Sequence, residues 1–117
     1  MLFRSPSESV LTVADLKLDR VQRLVERGGL RIELTAKEFS LLEYLMRHAG
    51  CNVTRSMIIE HVWNLTFDTT TNVVDVYINY LRRKIDDGHA IKLIQTVRGV
   101  GYALRTPARE LVSQVPV

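Results

Sequence analysis

Cysteine is almost absent from this 117-residue chain, and the single one, Cys51, has no internal partner for a disulfide. The fold must therefore be held by a core and not by covalent staples, as expected of a reducing compartment. No apolar run approaches the length that spans a bilayer, and residues 1–10 lack the apolar core of a secretion signal. These absences point to a cytoplasmic protein with no membrane partner. Internal repeats and low-complexity tracts are missing too. Histidine is scarce: His48, His61 and His89 have no metal-ligand spacing, and Cys51 has only His48 within about one helical turn, so neither a metal nor a cofactor is expected. Glu43 and Glu60 fall on the polar sides of predicted helices, and nothing gathers groups for general acid–base work. No enzymatic activity is expected.

What is present suffices for one domain, since 46% of the residues are apolar and can bury a core at this length. The net charge is only +3, but its placement is uneven. Residues 1–71 carry nine Lys/Arg and nine Asp/Glu, whereas residues 72–105 carry six against three. The cationic excess thus lies in one contiguous third, which hints at a nucleic-acid face.

Alternation dominates the first third. Leu11/Val13, Leu16/Leu18, Val21 to Val25 and Leu30/Ile32/Leu34 read as short strands, with Gly28-Gly29 suited to a primed hairpin turn. Thr35-Ala36-Lys37-Glu38 is a capping box, and the helix it starts has a wide apolar face and a stop at Gly50. A second, shorter helix follows from about Arg55, capped by Thr54 or Ser56. A third runs to about Asp86, with Val74, Ile78, Leu81 and Ile85 on one narrow face. Opposite them project Asn72, Val76, Asn79, Tyr80 and Arg83, flanked by Tyr77, Arg82 and Lys84. Two strands then enclose Arg98-Gly99-Val100-Gly101, and Pro107 closes the ordered region.

The Gly-x-Gly at 99–101 raises the question of a nucleotide phosphate loop. Such a loop needs a helix after it, and here a strand follows; the third glycine of a dinucleotide fingerprint is replaced by Leu104. A hairpin tip is the better reading. Asn72, Asn79, Arg82 and Arg83 are side-chain types that read base edges or hold phosphates, although a solvated helix face has similar composition. The order helix, short helix, polar-faced helix, basic-tipped hairpin is that of a helix-turn-helix with a wing.

Four stretches carry a resemblance to a known family: LTAKEFSLLEYLM at 34–46, IIEHVW at 58–63, NVVDVYINYLRRKID at 72–86 and IQTVRGVGY at 94–102. In order and spacing they resemble the C-terminal effector domain of OmpR/PhoB-type response regulators. The resemblance implies an α+β fold: a winged helix-turn-helix with an N-terminal antiparallel four-stranded sheet, three helices and a C-terminal β-hairpin wing. It places the domain at residues 11–105, after a linker remnant at 1–10 and before a tail at 106–117. It further implies that Asn72, Val73, Val76, Tyr77, Asn79 and Tyr80 meet bases in the major groove. Trp63, Arg82, Arg83, Thr96, Arg98, Gly99 and Tyr102 fall at phosphate or minor-groove positions, and Asn64, Leu65, Thr66, Phe67 and Asp68 form a loop that contacts RNA polymerase. An upstream receiver domain and its sensor kinase are implied partners, as is double-stranded DNA with tandem half-sites, bound as a dimer by domains that are monomeric when isolated. Positions 79 and 80, often arginines in relatives, are Asn and Tyr here. A winged-helix module that binds a protein through the same face remains the alternative.

Overall fold

The computed structural model describes residues 9–64 and 71–106. The expected linker through Glu8, the polymerase-contact residues Leu65, Thr66, Phe67 and Asp68, and the tail from Pro107 lie outside the described residues. Alternation in the first third builds an antiparallel meander of β1 (Val10–Val13), β2 (Leu16–Asp19), β3 (Leu24–Arg27) and β4 (Leu30–Ile32), paired in that order. Leu16, Leu18 and Val25 form its inner face, while Lys17 between two of them is exposed. Gly28 and Gly29 turn the chain at φ 61° and 88°, and the double positive φ is what a tight primed turn demands. The third strand starts later than the expected Val21. The Asp19 carboxylate accepts the amides of Val21 and Gln22 at 2.9 Å each, and Arg23 takes φ 58°, so the chain is still turning there.

Three helices follow this sheet, and their buried residues join those of the sheet in one core. α1 (Ala36–Arg47) begins at the expected capping box: Thr35 Oγ1 accepts the Glu38 amide at 3.2 Å and Glu38 Oε1 accepts the Thr35 amide at 2.9 Å. α2 (Arg55–Ile58) is capped by Thr54 and widens into a π-helical turn (Ile59–Trp63) that stops at Asn64 in the left-handed region. α3 (Thr71–Ile85) buries Val74, Ile78, Leu81 and Ile85 completely, against a core that includes Leu41, Leu42 and Leu45 of α1. The narrow apolar sector read from its period is the face that packs.

A second sheet joins the hairpin after α3 to a strand before α2 that periodicity did not reveal. β5 (Val53–Thr54) pairs with β7 (Gly101–Leu104), which in turn pairs with β6 (Ile94–Val97). Two residues are too few for alternation to be recognised. This strand also corrects the role of Gly101, which was expected in the hairpin tip. It lies buried within β7, and a Cβ there would stand 2.1 Å from the Val53 carbonyl oxygen. Close approach of β5 therefore requires glycine at 101, and only Gly99, at φ +74°, serves the turn itself.

The two sheets and the end of α3 meet at a buried ion pair. Arg27, 3% exposed, donates to Asp86 at 3.0 Å, to Asp15 at 2.8 Å, and to the carbonyls of Ile85 at 2.8 Å and Ile91 at 2.7 Å. Asp86, 2% exposed, also accepts the amides of Leu93 at 3.0 Å and Ile94 at 3.1 Å. Both charges are thus surrounded by partners, the condition under which burial of an ion pair is tolerated. Replacing Asp86 by Ala removes the buried carboxylate facing the guanidinium and leaves two buried amides without their acceptor; urea unfolding should show a loss of about 3–5 kcal/mol. An unchanged transition midpoint would contradict this role.

Candidate nucleic-acid interface

α3 presents three different sides to its surroundings. Outward lie Asn72, Val76, Asn79, Tyr80 and Arg83, all exposed, opposite the buried sector. On one flank Val73 and Tyr77 are half-buried, and Trp63 from the end of the π-helical turn meets Tyr77 edge-on at 5.3 Å. Tyr77 meets Tyr80 in the same way at 5.3 Å, while Lys37 lies 5.5 Å from the Trp63 ring centre and donates to the Val62 carbonyl at 3.1 Å. This aromatic file braces the side chains that reach the surface. Asn64 is exposed at the end of the turn.

The other flank of α3 is latched to the hairpin. Arg82 donates to the Ile94 carbonyl at 3.3 Å and to Thr96 Oγ1 at 2.6 Å. Asp75 accepts from the Tyr102 hydroxyl and from Arg55 Nε at 2.9 Å, and both guanidinium groups approach the Tyr102 ring, at 5.3 Å for Arg55 and 5.7 Å for Arg82. Tyr102, expected at the phosphate or minor-groove surface, is instead 4% exposed with its hydroxyl committed to Asp75. It fixes the wing and has almost no surface to offer. Thr96, Arg98, Gly99 and Val100 are exposed at the free end of the hairpin, where the Val100 amide closes the turn onto the Val97 carbonyl at 2.9 Å.

Electrostatics sharpen this division. Burial of the Asp75 carboxyl favours its neutral form, but hydrogen bonds from Tyr102 and Arg55 outweigh burial and hold its pKa below the usual carboxylate value. Burial, reinforced by donation to Asp75, pushes the Tyr102 phenol up, so its hydroxyl stays a donor. Glu38 behaves as Asp75 does: burial opposes its charge, and Lys84 at 2.6 Å together with the Thr35 amide overcomes it and lowers the pKa. Lys84 therefore ties the last turn of α3 to the first turn of α1. Arg83 and Arg98 are the cations left without a hydrogen bond or ion pair to the described residues of α3 and the wing.

The residues that sequence reasoning missed are the holders, not the presenters. Asp75, Arg55 and the Glu38–Lys84 pair sit behind the exposed face. One signal was available for Asp75, which is the lone acid in α3. Among the described residues no group of three or more His, Cys, Asp or Glu is arranged to hold a metal ion, and no helix is long and apolar enough to cross a membrane.

A three-helix layer with an amide and cationic helix face, beside a hairpin latched to that helix, defines a winged helix-turn-helix DNA-binding domain. The family model described as transcriptional regulatory protein, C terminal, matches residues 29–104, and the chain belongs to this family, the effector domains of OmpR/PhoB-type response regulators. It is 54% identical over 100 residues to the transcriptional regulatory protein CusR of Escherichia coli (strain K12), covering 86% of this chain and 44% of that protein. With the transcriptional regulatory protein PcoR of Escherichia coli the identity is 50% over 101 residues, covering 86% and 45%. The chain thus spans less than half the length of these curated relatives. Among solved structures, the RstA DNA-binding domain of Klebsiella pneumoniae in complex with the RstA box superposes with a TM-score of 0.74 at 32% identity, covering 82% of this chain and 96% of that one. The DNA-binding domain of CpxR from E. coli gives 0.70 at 32%, covering 82% and 95%.

Two outcomes follow from the latch. Tyr102→Phe removes one hydrogen bond to a charged acceptor, so thermal unfolding should register a loss of about 1.5–3 kcal/mol; a variant as stable as the parent would detach Tyr102 from this role. Asp75 and Glu38 have folded pKa values below their ordinary ones, so their contribution is complete at neutral pH and lost as acid protonates them. Stability measured in urea should accordingly hold near neutrality and fall once the pH enters and passes below the ordinary carboxylate range. A flat profile through that range would contradict the assignment.

Proposed function

We propose that this domain recognises a specific double-stranded DNA site and regulates transcription from it, with α3 in the major groove and the β6–β7 wing at the adjacent minor groove. The observation that carries the reading is the disposition of α3: one face wholly buried, the opposite face bearing exposed Asn72, Asn79 and Arg83, and a hairpin fixed to its side by Arg82 and Thr96. Asn72, Val73, Val76, Tyr77, Asn79 and Tyr80 take the base-facing role. Arg83, Trp63, Thr96, Arg98 and Gly99 take phosphate or minor-groove roles, and Arg82 divides its donors between the wing and the nucleic acid. With Asn and Tyr at 79 and 80, the electrostatic part of binding is smaller than in relatives that carry arginines there.

In this proposal the domain belongs to a cytoplasmic regulator whose receiver domain, phosphorylated by a sensor kinase, brings two copies onto tandem half-sites. The isolated domain is then a weakly binding monomer, because it lacks the effective concentration that a tethered second copy supplies. Residues 64–68 form the contact to RNA polymerase. Exposed Val76, Tyr80 and Val100 give the protein-interaction alternative its one foothold. Salt titration of binding to random duplex separates the readings, since a protein-binding face has no reason to bind DNA at low salt.

Removing the Arg98 side chain should weaken binding to all duplexes together and reduce the slope of log K against log salt by about 1. An unaltered slope removes Arg98 from the nucleic-acid contact. Asn79→Ala should act differently, relaxing preference at one or two base pairs by about 1–3 kcal/mol in competition against single-base variants of a selected site. Selectivity retained at every position would disprove the base-facing role of Asn79.

A further inference from the structure

The outward face of α3 is not uniformly polar. Val76 and Tyr80 are each 40% exposed and stand one helical turn apart, between Asn72, Asn79 and Arg83. A β-branched residue in the middle of a solvated helix face lowers helix propensity and gains nothing from burial. Tyr80 is moreover held edge-on by Tyr77, which is held by Trp63, so its ring has little rotamer freedom left to lose on binding. Here is a braced apolar patch on a surface meant for a polar polymer.

The cations near the patch narrow what it reads. Arg82 is engaged by Ile94 and Thr96 and Lys84 by Glu38, so guanine recognition from the last turns of α3 falls to Arg83. The remaining side chains of the face are amides, which suit the N6/N7 edge of adenine, and the two apolar groups. In the major groove the apolar feature of a base pair is the C5-methyl of thymine. We infer that Val76 and Tyr80 form a thymine-methyl reader, so that with Asn72 and Asn79 the centre of α3 selects A·T pairs. The inference rests on α3 being the recognition helix and adds which bases it takes.

Deoxyuridine tests this directly, because it differs from thymidine only by the methyl group. A duplex selected from a random pool by the 117-residue chain is resynthesised with single thymidines replaced by deoxyuridine, and affinity is measured at fixed salt. The wild-type chain should lose about fourfold per methyl it covers, the worth of one buried methyl group, at one or two positions per half-site. Val76→Ala should bind the thymidine and deoxyuridine duplexes alike at the position Val76 covers, and Tyr80→Ala likewise at its own. Specific binding that is indifferent to deoxyuridine at every position overturns the methyl reader and leaves DNA recognition standing. Failure to prefer any selected duplex over random DNA overturns both.

Discussion

Arg27 and Asp86 form the contact on which the relative placement of the other parts depends. Arg27 ends β3 and Asp86 follows the last residue of α3, and between them they hold the Ile85 and Ile91 carbonyls and the Leu93 and Ile94 amides. The N-terminal sheet, the end of α3 and the start of the wing are thereby joined at one buried point. An apolar pair of similar volume would tolerate sliding. Directional hydrogen bonds on both charges do not, because any shift leaves a buried polar group unpaired. The angle at which α3 leaves the core and the position where β6 begins are set together.

A second set of polar contacts carries that geometry outward. Asp75 with Tyr102 and Arg55, and Arg82 with Thr96, hold the hairpin against the flank of α3; Lys84 with Glu38 anchors the opposite flank to α1. Much of the basic charge is therefore structural. Arg27, Arg55, Arg82 and Lys84 each have a protein partner, while Arg83 and Arg98 remain exposed at the helix face and at the wing tip. On the proposed reading, selectivity comes from preorganised side chains more than from long-range attraction, in keeping with a net charge of only +3.

Much of this was legible in the residues themselves. The 3.6-residue period of Val74, Ile78, Leu81 and Ile85 fixed both the buried face of α3 and, by subtraction, the exposed one. The capping box at Thr35 and the Gly28-Gly29 turn were legible because each is a local device with its own chemistry. What escaped was non-local. β5 is a two-residue strand, and the need for glycine at 101 comes from the backbone of Val53, almost fifty positions away. Asp19 displaced the start of β3 by capturing two amides, an event that hydrophobic pattern does not register. The family resemblance puts Tyr102 either at the phosphate or bracing the strand; in the fold it is buried with its hydroxyl on Asp75, so it braces the wing. Buried Arg27 and Asp86 carry no sequence mark that separates them from solvated neighbours.

On the proposed reading one surface, the outward face of α3 with the tip of the wing, meets DNA while the N-terminal sheet does not. Amide chemical shifts followed during titration with a selected duplex test it most directly. The shifts should concentrate at residues 72–83 and 96–100, with β1 to β4 little changed. A titration in which the largest changes fall on residues 10–32, with α3 and the wing unmoved, would contradict it.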